Sequence, residues 1–350
     1  MFFSENSKLI DQIAAITTSI EHPLSNVVVS SLPALDNNIW VSYPQVESYL
    51  ARQVSKSEAG EPTPSHSSAP AGWKRSGLGI FIELLTQVFA RKLRVQSAVQ
   101  KKLDGDQKLL LGITYSDADP LAEDFYTHSR FWGRLPYWFR DKLELSWAGI
   151  GIEPVRKLKL SESIFRALDT LEAIRTFITS IPMRLKILRD INKRCSEAVL
   201  YKLLKREYVR ALFGAPAISA LILHREFTRL LDSVSPASVL IPVENQLWER
   251  VLSNLCTSKA IEVIGVFHTT PRFWDLRFFC LRGFSMMQPD RYVDNGSASR
   301  ELLVAGGIEA NRVENGSALR FSHLSTGPAS GTLSGRKISQ RQVLTILGTN

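Results

Sequence analysis

Apolar residues in the middle of the chain fall into runs of strand length and stretches with helical spacing. Residues 108–114, 238–243 and 261–267 are short apolar runs, which are typical of strands buried on both faces. Residues 245–256 are predicted to be a helix after the second run, and residues 299–305 a short helix after a further short strand at 284–287. Strands separated by helix-length segments predict βαβ units. We therefore expect an α/β fold with a Rossmann-like parallel sheet and helices on both faces.

The pattern changes to a long helical block in residues 155–235, which reads as a large insertion with breaks at Pro182 and Gly214. A helix is also predicted over 78–103, because apolar residues recur at helical intervals up to Phe89. Residues 115–147 read as an aromatic-rich loop region. Further short strands are predicted at 26–30, 39–42 and 284–287.

Two segments rich in small and polar residues divide the chain. Residues 55–72 read as a long loop, and residues 325–336 as a flexible linker. Residues 337–350 then contain one strand-like run. We expect residues 1–324 to form one Rossmann-like domain, and residues 337–350 to be the first strand of an incomplete second domain.

Composition adds a basic excess to this picture. The chain is 44% hydrophobic and 22% charged, which excludes a wholly disordered chain, and its net charge of +9 suggests an anionic partner. Residues 182–211 hold nine lysines and arginines against three acids. This segment predicts an amphipathic basic helix that docks on an anionic membrane surface or, alternatively, presents a solvated face. Nucleic acid is disfavoured, since no recognised binding motif is present.

Several kinds of chemistry are disfavoured by missing motifs. The chain lacks the P-loop, GxGxxG, HExxH and GxSxG patterns, and its three cysteines form no CxxC pair. We therefore expect neither a metal nor a resident cofactor. The first residues lack the basic and apolar regions of a signal peptide, so a cytoplasmic location is expected.

Polar residues at the ends of the predicted strands are the candidate site, because open parallel sheets bind ligands at the carboxyl ends of their strands. A right-handed crossover places Glu244 and His268 at the same edge. Asp117, Glu244 and His268 are the candidates for a general base toward a hydroxyl nucleophile. The candidate binding residues at strand ends are Tyr115, Asn245, Trp248, Glu249 and Asp290.

Each candidate also has a purely structural interpretation. Glu244 can cap the following helix, whose N-terminus favours negative charge. Asp117 and Asp290 can be ordinary turn residues.

Residues 129–136 (SRFWGRLP) place Arg130 beside aromatic residues such as Trp132, which suits an anionic or sugar-like ligand. The alternative is a loop that packs these aromatic side chains onto the core.

The segments just described resemble a family of bacterial surface-carbohydrate biosynthesis proteins, regarded as glycosyltransferases of the two-Rossmann (GT-B) type. The resemblance rests on the order and spacing of TYSDAD, SRFWGRLP, PVENQLWE, GVFH, PD and ALRF between residues 114 and 321. It implies transfer of a hexose or nonulosonic-acid type sugar from a nucleotide-activated donor to a lipopolysaccharide or capsule glycan. It also adds Arg320 to the candidate binding residues.

In such transferases the C-terminal domain usually holds the nucleotide-sugar. The expectation for this chain is therefore the acceptor-side half of a GT-B architecture, working with a separate donor-domain polypeptide or inactive alone. The alternative is a non-catalytic protein that docks on the inner membrane or on a partner of a glycan assembly system.

Overall fold

The computed structural model describes the central part of the chain. The described residues are 91–98, 109–115, 121, 125, 129–139, 145–154, 160–195, 209, 212–244, 246–268, 288–305 and 307–319. Outside them lie the predicted strands at 26–30, 39–42 and 284–287, the loop at 55–72, the linker at 325–336 and the segment 337–350.

Strands and helices alternate over most of the described chain. The strands are β1 (Arg91–Ala98), β2 (Leu110–Tyr115), β3 (Leu145–Pro154), β4 (Ser238–Pro242), β5 (Glu262–Val266), β6 (Arg291–Val293) and β7 (Val313–Glu314). The helices are α1 (Leu135–Phe139), α2 (Leu160–Thr179), α3 (Ile181–Cys195), α4 (Ala215–Val234), α5 (Leu247–Ser258) and α6 (Ser297–Ala305). A turn of 3₁₀ helix, Ala310–Arg312, precedes β7.

The seven strands form one sheet in the order β1-β3-β2-β4-β5-β6-β7. Six of them, from β3 to β7, pair in parallel, and β1 is antiparallel to β3 at one edge. This confirms the α/β class with a Rossmann-like parallel sheet. The chain moves from β2 outward to β3 and then returns to β4 on the other side of β2. The point between β2 and β4 is therefore the topological switch point of the sheet.

The two faces of the sheet carry different packing. Alternate residues such as Ile113 and Ile241 point to a cluster formed with α4 and α5, including Phe227 and Trp248. The opposite face carries a second cluster, whose core includes Phe125, Trp132, Trp147, Leu240 and Val266. Leu135 of α1 packs against that second cluster.

Gly112 of β2 allows Trp147 of β3 to lie flat against the sheet. The two residues are directly paired in the ladder. A Cβ at position 112 would overlap the indole ring of Trp147, which is only 1% exposed. The aromatic cluster on this face therefore depends on the absence of a side chain at Gly112.

Two sequence expectations about local structure were wrong. Residues 91–98 form a strand where a helix over 78–103 was predicted, because the helical periodicity stops at Phe89 and Leu93 and Val95 alternate with polar residues. Strand β3 was missed inside and beyond the predicted loop region 115–147. Its two glycines, Gly149 and Gly151, weaken the strand signal, yet the strand is buried between β1 and β2.

The predicted helical breaks are confirmed. Helix α2 ends at Thr179 and α3 begins at Ile181, next to Pro182. Helix α4 begins after Gly214, with a proline in its first turn. Within the described ranges, no helix is long and apolar enough to cross a bilayer.

Candidate functional site

Two strands deliver the first site residues to the switch point. Tyr115 is the last residue of β2, and Glu244 lies two residues beyond the end of β4. Since β2 and β4 are parallel neighbours, their carboxyl ends lie at the same edge of the sheet. The Tyr115 hydroxyl donates a hydrogen bond to Glu244 Oε2 at 2.9 Å. The sequence prediction that strand-end residues converge here is met for this pair.

His268 reaches the same carboxylate from the next strand. Its Nε2 lies 3.0 Å from Glu244 Oε1. His268 follows β5, and pairing continues past the strand end, because the Phe267 backbone N–H donates to the Val293 carbonyl at 3.0 Å. Each oxygen of Glu244 is thus held by a different strand. We call Tyr115, Glu244 and His268 the switch-point cluster.

Helix α5 fixes the backbone of Glu244. Both carboxylate oxygens of Glu249 accept the Glu244 backbone N–H, at 3.1 and 3.0 Å. Glu249 is the acidic residue of the first turn of α5, whose N-cap residue is Gln246. The interpretation of Glu244 as a helix cap is therefore not what the structure shows. Gln246 has the N-cap position, the Glu249 side chain reaches back to the Glu244 N–H, and the Glu244 carboxylate turns toward β2 and β5.

Tyr115 is held in a donor role. Its hydroxyl accepts a hydrogen bond from Trp248 Nε1 at 3.2 Å, and the Trp248 ring meets the Tyr115 ring edge-on. Burial, followed by the negative charges of Glu249 and Glu244, raises the pKa of the Tyr115 phenol well above its ordinary value. The phenol therefore keeps its proton and donates a hydrogen bond to Glu244.

His268 is almost completely buried, with 3% of its side chain exposed. A carboxylate can only accept, so Nε2 carries the proton that is donated to Glu244. Nδ1 has no hydrogen-bond partner among the described residues. The Phe131 ring packs edge-on against the imidazole at 5.0 Å and also touches Tyr115. His268 is thus oriented by Glu244 and walled in by Phe131.

A tight turn places Phe131 in the site. Ser129 and Gly133 exchange two backbone hydrogen bonds, and Ser129 Oγ accepts from the backbone of Trp132 at 2.9 Å. Gly133 has a φ of 56°, a conformation that favours glycine. The sequence pointed to this segment but not to Phe131 itself. Its position between Arg130 and Trp132 was the available signal.

Arg130 and Trp132 occupy opposite sides of this turn. The Arg130 side chain is exposed. The Trp132 side chain is 1% exposed, and its Nε1 donates to the Ile113 carbonyl at 3.1 Å. Trp132 therefore belongs to the aromatic cluster beneath the sheet edge, which is the alternative that the sequence left open. Trp248 is also buried, in the cluster on the opposite face of the sheet. It contacts the switch-point cluster through its hydrogen bond to Tyr115.

Of the remaining candidates, the structure describes only Asp290, which lies away from the switch-point cluster. Asp290 precedes β6 and accepts from the Val263 backbone N–H at 2.7 Å, which places it near the amino ends of the strands. The sequence expected it at the carboxyl edge because the strand was predicted at 284–287. Asp117, Asn245 and Arg320 lie outside the described residues.

The part of the chain that the structure describes contains no ready set of metal ligands. No group of three or more histidine, cysteine, aspartate or glutamate side chains there could hold an ion. The switch-point cluster offers one carboxylate and one imidazole. This arrangement suits proton transfer to and from a carboxylate.

Comparison with known proteins gives no family assignment. No protein-family model matches the chain, and neither a curated protein nor a solved structure matches it significantly. Chemical function is therefore inferred from the geometry of the cluster, together with the family resemblance of the quoted segments.

Proposed function

We propose that the switch-point cluster is the catalytic site of a glycosyltransferase, in which Glu244 is the general base toward a hydroxyl of a glycan acceptor. The observation that carries this proposal is the Glu244 carboxylate itself. It is held on both oxygens by Tyr115 and His268, and 30% of its side chain is still exposed. A fixed carboxylate at the carboxyl edge of a parallel sheet is in the position where such folds bind ligands.

Glu244 is a better base than His268 for steric reasons. His268 Nδ1 is buried and has no partner among the described residues, so a substrate hydroxyl does not reach it without rearrangement of the turn that carries Phe131. His268 is therefore a positioning residue that holds the carboxylate from one side. Tyr115 holds it from the other. Asp117 remains a sequence-based candidate for the same role.

The reaction balances in one displacement. The acceptor O–H gives its proton to Glu244 as the oxygen forms a bond with the anomeric carbon of the donor. The bond between that carbon and the donor phosphate breaks, and the nucleotide leaves with the electron pair. General-base assistance of this kind contributes about 10²–10⁴-fold to the rate.

A carbohydrate acceptor is supported by the aromatic residues that follow the Phe131 turn. Tyr137 and Trp138 of α1 are 50% and 44% exposed. The Arg134 guanidinium lies over the Tyr137 ring, 5.1 Å from its centre. Exposed rings beside a guanidinium suit stacking with sugars and contact with anionic groups. Arg130, exposed at the turn, is the proposed contact to the phosphates or to an acidic glycan.

Partners and location follow the same proposal. A nucleotide-sugar donor, a lipopolysaccharide or capsule glycan acceptor, a separate donor-domain polypeptide and a cytoplasmic location are the expectations derived from the sequence and its family resemblance. The proposed transfer is of hexosyl or nonulosonate type. The cluster suits either donor, because it acts on the acceptor hydroxyl.

A transfer assay with a matched control tests the proposal. The purified full chain is incubated with labelled nucleotide sugars and oligosaccharide acceptors, and label on the acceptor is measured. Glu244→Gln should lower transfer by about 10²–10⁴-fold, whereas Glu262→Gln, which changes a paired surface carboxylate, should not. Full activity of Glu244→Gln contradicts the proposal. So does a panel that gives neither transfer nor acceptor-dependent quenching of tryptophan fluorescence.

A further inference from the structure

Helices α2 and α3 are separated only by the turn residue Ser180, and backbone hydrogen bonds bridge this break. The Ser180 backbone N–H donates to the Thr176 carbonyl at 3.0 Å, and the Arg184 N–H donates to the Ser180 carbonyl at 3.0 Å. Both are i to i−4 bonds, so helical register passes through the junction. Pro182 stands in the first turn of α3, where a missing N–H is tolerated. The side chains of both helices can therefore be placed on one helical wheel.

One side of these two helices is fixed against the rest of the protein. Ala173, Arg184 and Ile187 are buried. Arg184 Nη1 donates to the Leu212 carbonyl at 2.7 Å, Nε donates to Ser180 Oγ at 2.8 Å, and the guanidinium lies over the Phe177 ring. Burial lowers the pKa of Arg184 to about 10. These contacts determine which side of the two helices faces outward.

The outward side carries a row of large aliphatic residues. Leu171, Ile178 and Leu185 are 63%, 57% and 50% exposed. Their spacing of seven residues returns each side chain to within about 20° of the one before. The row therefore runs along the two helices for about 21 Å at 1.5 Å per residue. Exposure of aliphatic side chains in such a row is a feature of interaction surfaces.

Cations share this outward side. Arg175, Lys186, Arg189 and Lys193 are exposed. At about 100° per residue they fall between 0° and about 60° from Leu171, next to the aliphatic row. Glu172 lies about 100° from Leu171 and pairs with Arg225 at 3.1 Å and, more loosely, with Arg175 at 3.9 Å. We call Leu171, Ile178, Leu185 and these four cations the outer face of α2 and α3.

We propose that the outer face lies on an anionic membrane surface. A helix with an aliphatic row and a flanking basic row inserts the first below the lipid headgroups and sets the second among their phosphates. Long basic side chains also reach up to the headgroup level while their stems stay apolar. The net charge of +9 acts in the same direction over longer distances.

The geometry favours a lipid surface over an acidic protein. Protein interfaces concentrate their binding energy in central anchors, often Trp, Tyr or Arg in pockets. The outer face instead has three separate aliphatic side chains spread along two consecutive helices, with no aromatic residue among them. The docking surface also begins earlier than the basic segment 182–211 identified from the sequence, since Leu171, Arg175 and Ile178 belong to α2.

Vesicle flotation of the full chain tests the proposal. Vesicles of phosphatidylcholine alone are compared with vesicles that also contain phosphatidylglycerol, at low and high salt. We expect at least a tenfold excess of bound protein on the anionic vesicles at low salt, and a steep loss as salt screens the cations. Equal recovery on both vesicle types, or no recovery on either, overturns the proposal; the latter result leaves an acidic protein as the occupant.

Two variant sets separate the two rows. Leu171→Ser/Ile178→Ser/Leu185→Ser should lower anionic-vesicle binding at least tenfold, and Lys186→Glu/Arg189→Glu should do the same and remove the salt dependence. Val304→Ser, at an exposed valine of α6, and Lys259→Glu, at a lysine paired with Asp232, are matched controls that should bind as the unchanged chain does. Circular dichroism confirms that each variant is folded. Undiminished binding by the folded triple variant contradicts the proposal.

Discussion

Glu244 and Glu262 lie at opposite ends of the same sheet and have parallel sets of partners. Glu244 follows β4 and is reached by the Tyr115 hydroxyl and by His268 Nε2. Glu262 begins β5 and is reached by the Ser238 hydroxyl at 3.1 Å and by Arg291 Nε at 2.8 Å. Each carboxylate thus has one hydroxyl donor and one nitrogen donor from a neighbouring strand.

The difference lies in what the nitrogen donor does to the charge. Arg291 carries a permanent charge that it shares between Glu262 and Glu314, and hydrogen bonds to these two glutamates raise its pKa. The Arg291 and Glu262 side chains are 42% and 38% exposed, so this is a surface ion pair. Neither Tyr115 nor His268 has a permanent charge. Glu244 thus faces two groups without a permanent charge, where Glu262 faces a guanidinium.

Among variants that keep both carboxylates, the largest effect should come from moving that of Glu244. Glu244→Asp keeps the charge but shortens the side chain by one methylene, so one carboxylate no longer reaches both Tyr115 and His268. We expect a loss of about 10²-fold in kcat, since a misplacement of about 1 Å costs this much. Glu262→Asp should leave the rate unchanged. Equal rates for the two variants in the transfer assay would show that the two ends of the sheet do not differ in function.

The next effect concerns stability and compares the hydroxyl donor of Glu244 with that of Glu262, at opposite ends of the sheet. Tyr115→Phe removes the donor to Glu244 and leaves the buried Trp248 Nε1 without its acceptor, which should lower the free energy of unfolding by about 1–3 kcal/mol. Ser238→Ala removes the corresponding donor to the more exposed Glu262 and should cost about 0.5–1 kcal/mol. Urea denaturation measures both, and a larger loss for Ser238→Ala would be contrary to this ranking.

The sequence was sufficient to predict which residues lie at the carboxyl edge of the sheet, but not the order of its strands. Short apolar runs identified β2, β4 and β5, and parallel pairing then put Tyr115, Glu244 and His268 at one edge. Local patterns could not identify β3, whose glycines weaken the strand signal, and they could not show on which side of β2 it adds. That choice creates the switch point, and it depends on tertiary pairing.

Orientation within the site was also beyond the sequence. Trp132 and Phe131 are adjacent in the chain, yet the turn at Ser129 buries one in the core and presents the other to His268. Asp290 was predicted at the wrong end of the sheet, because the strand next to it was predicted a few residues too early. Side-chain direction in loops depends on hydrogen bonds that periodicity does not report.

A third effect distinguishes the buried phenol at the carboxyl edge by its response to alkali. Because the folded-state pKa of Tyr115 is raised above 10.0, its stability contribution is complete below pH 10 and is lost as the pH rises above that value. Ionisation then occurs in the unfolded chain first, at about 1.4 kcal/mol per pH unit for one group. Tyr115→Phe should flatten this decline in urea denaturation, whereas Tyr137→Phe, at a half-exposed tyrosine, should not. An unchanged slope in Tyr115→Phe argues against a buried phenol.

The smallest effect is expected at the amino edge and depends on salt. Arg291→Ala removes the surface pairs with Glu262 and Glu314 and should lower the free energy of unfolding by less than about 1 kcal/mol, because exposed ion pairs are screened by solvent. Raising the ionic strength should shrink this difference further, since the Debye length falls to about 3 Å at 1 M salt. The cost of Tyr115→Phe should persist, because it arises from buried hydrogen bonds. If both costs vanish together at high salt, the switch-point cluster is held by screened charges, as the surface ion pair is. That result would contradict the proposed difference between Glu244 and Glu262.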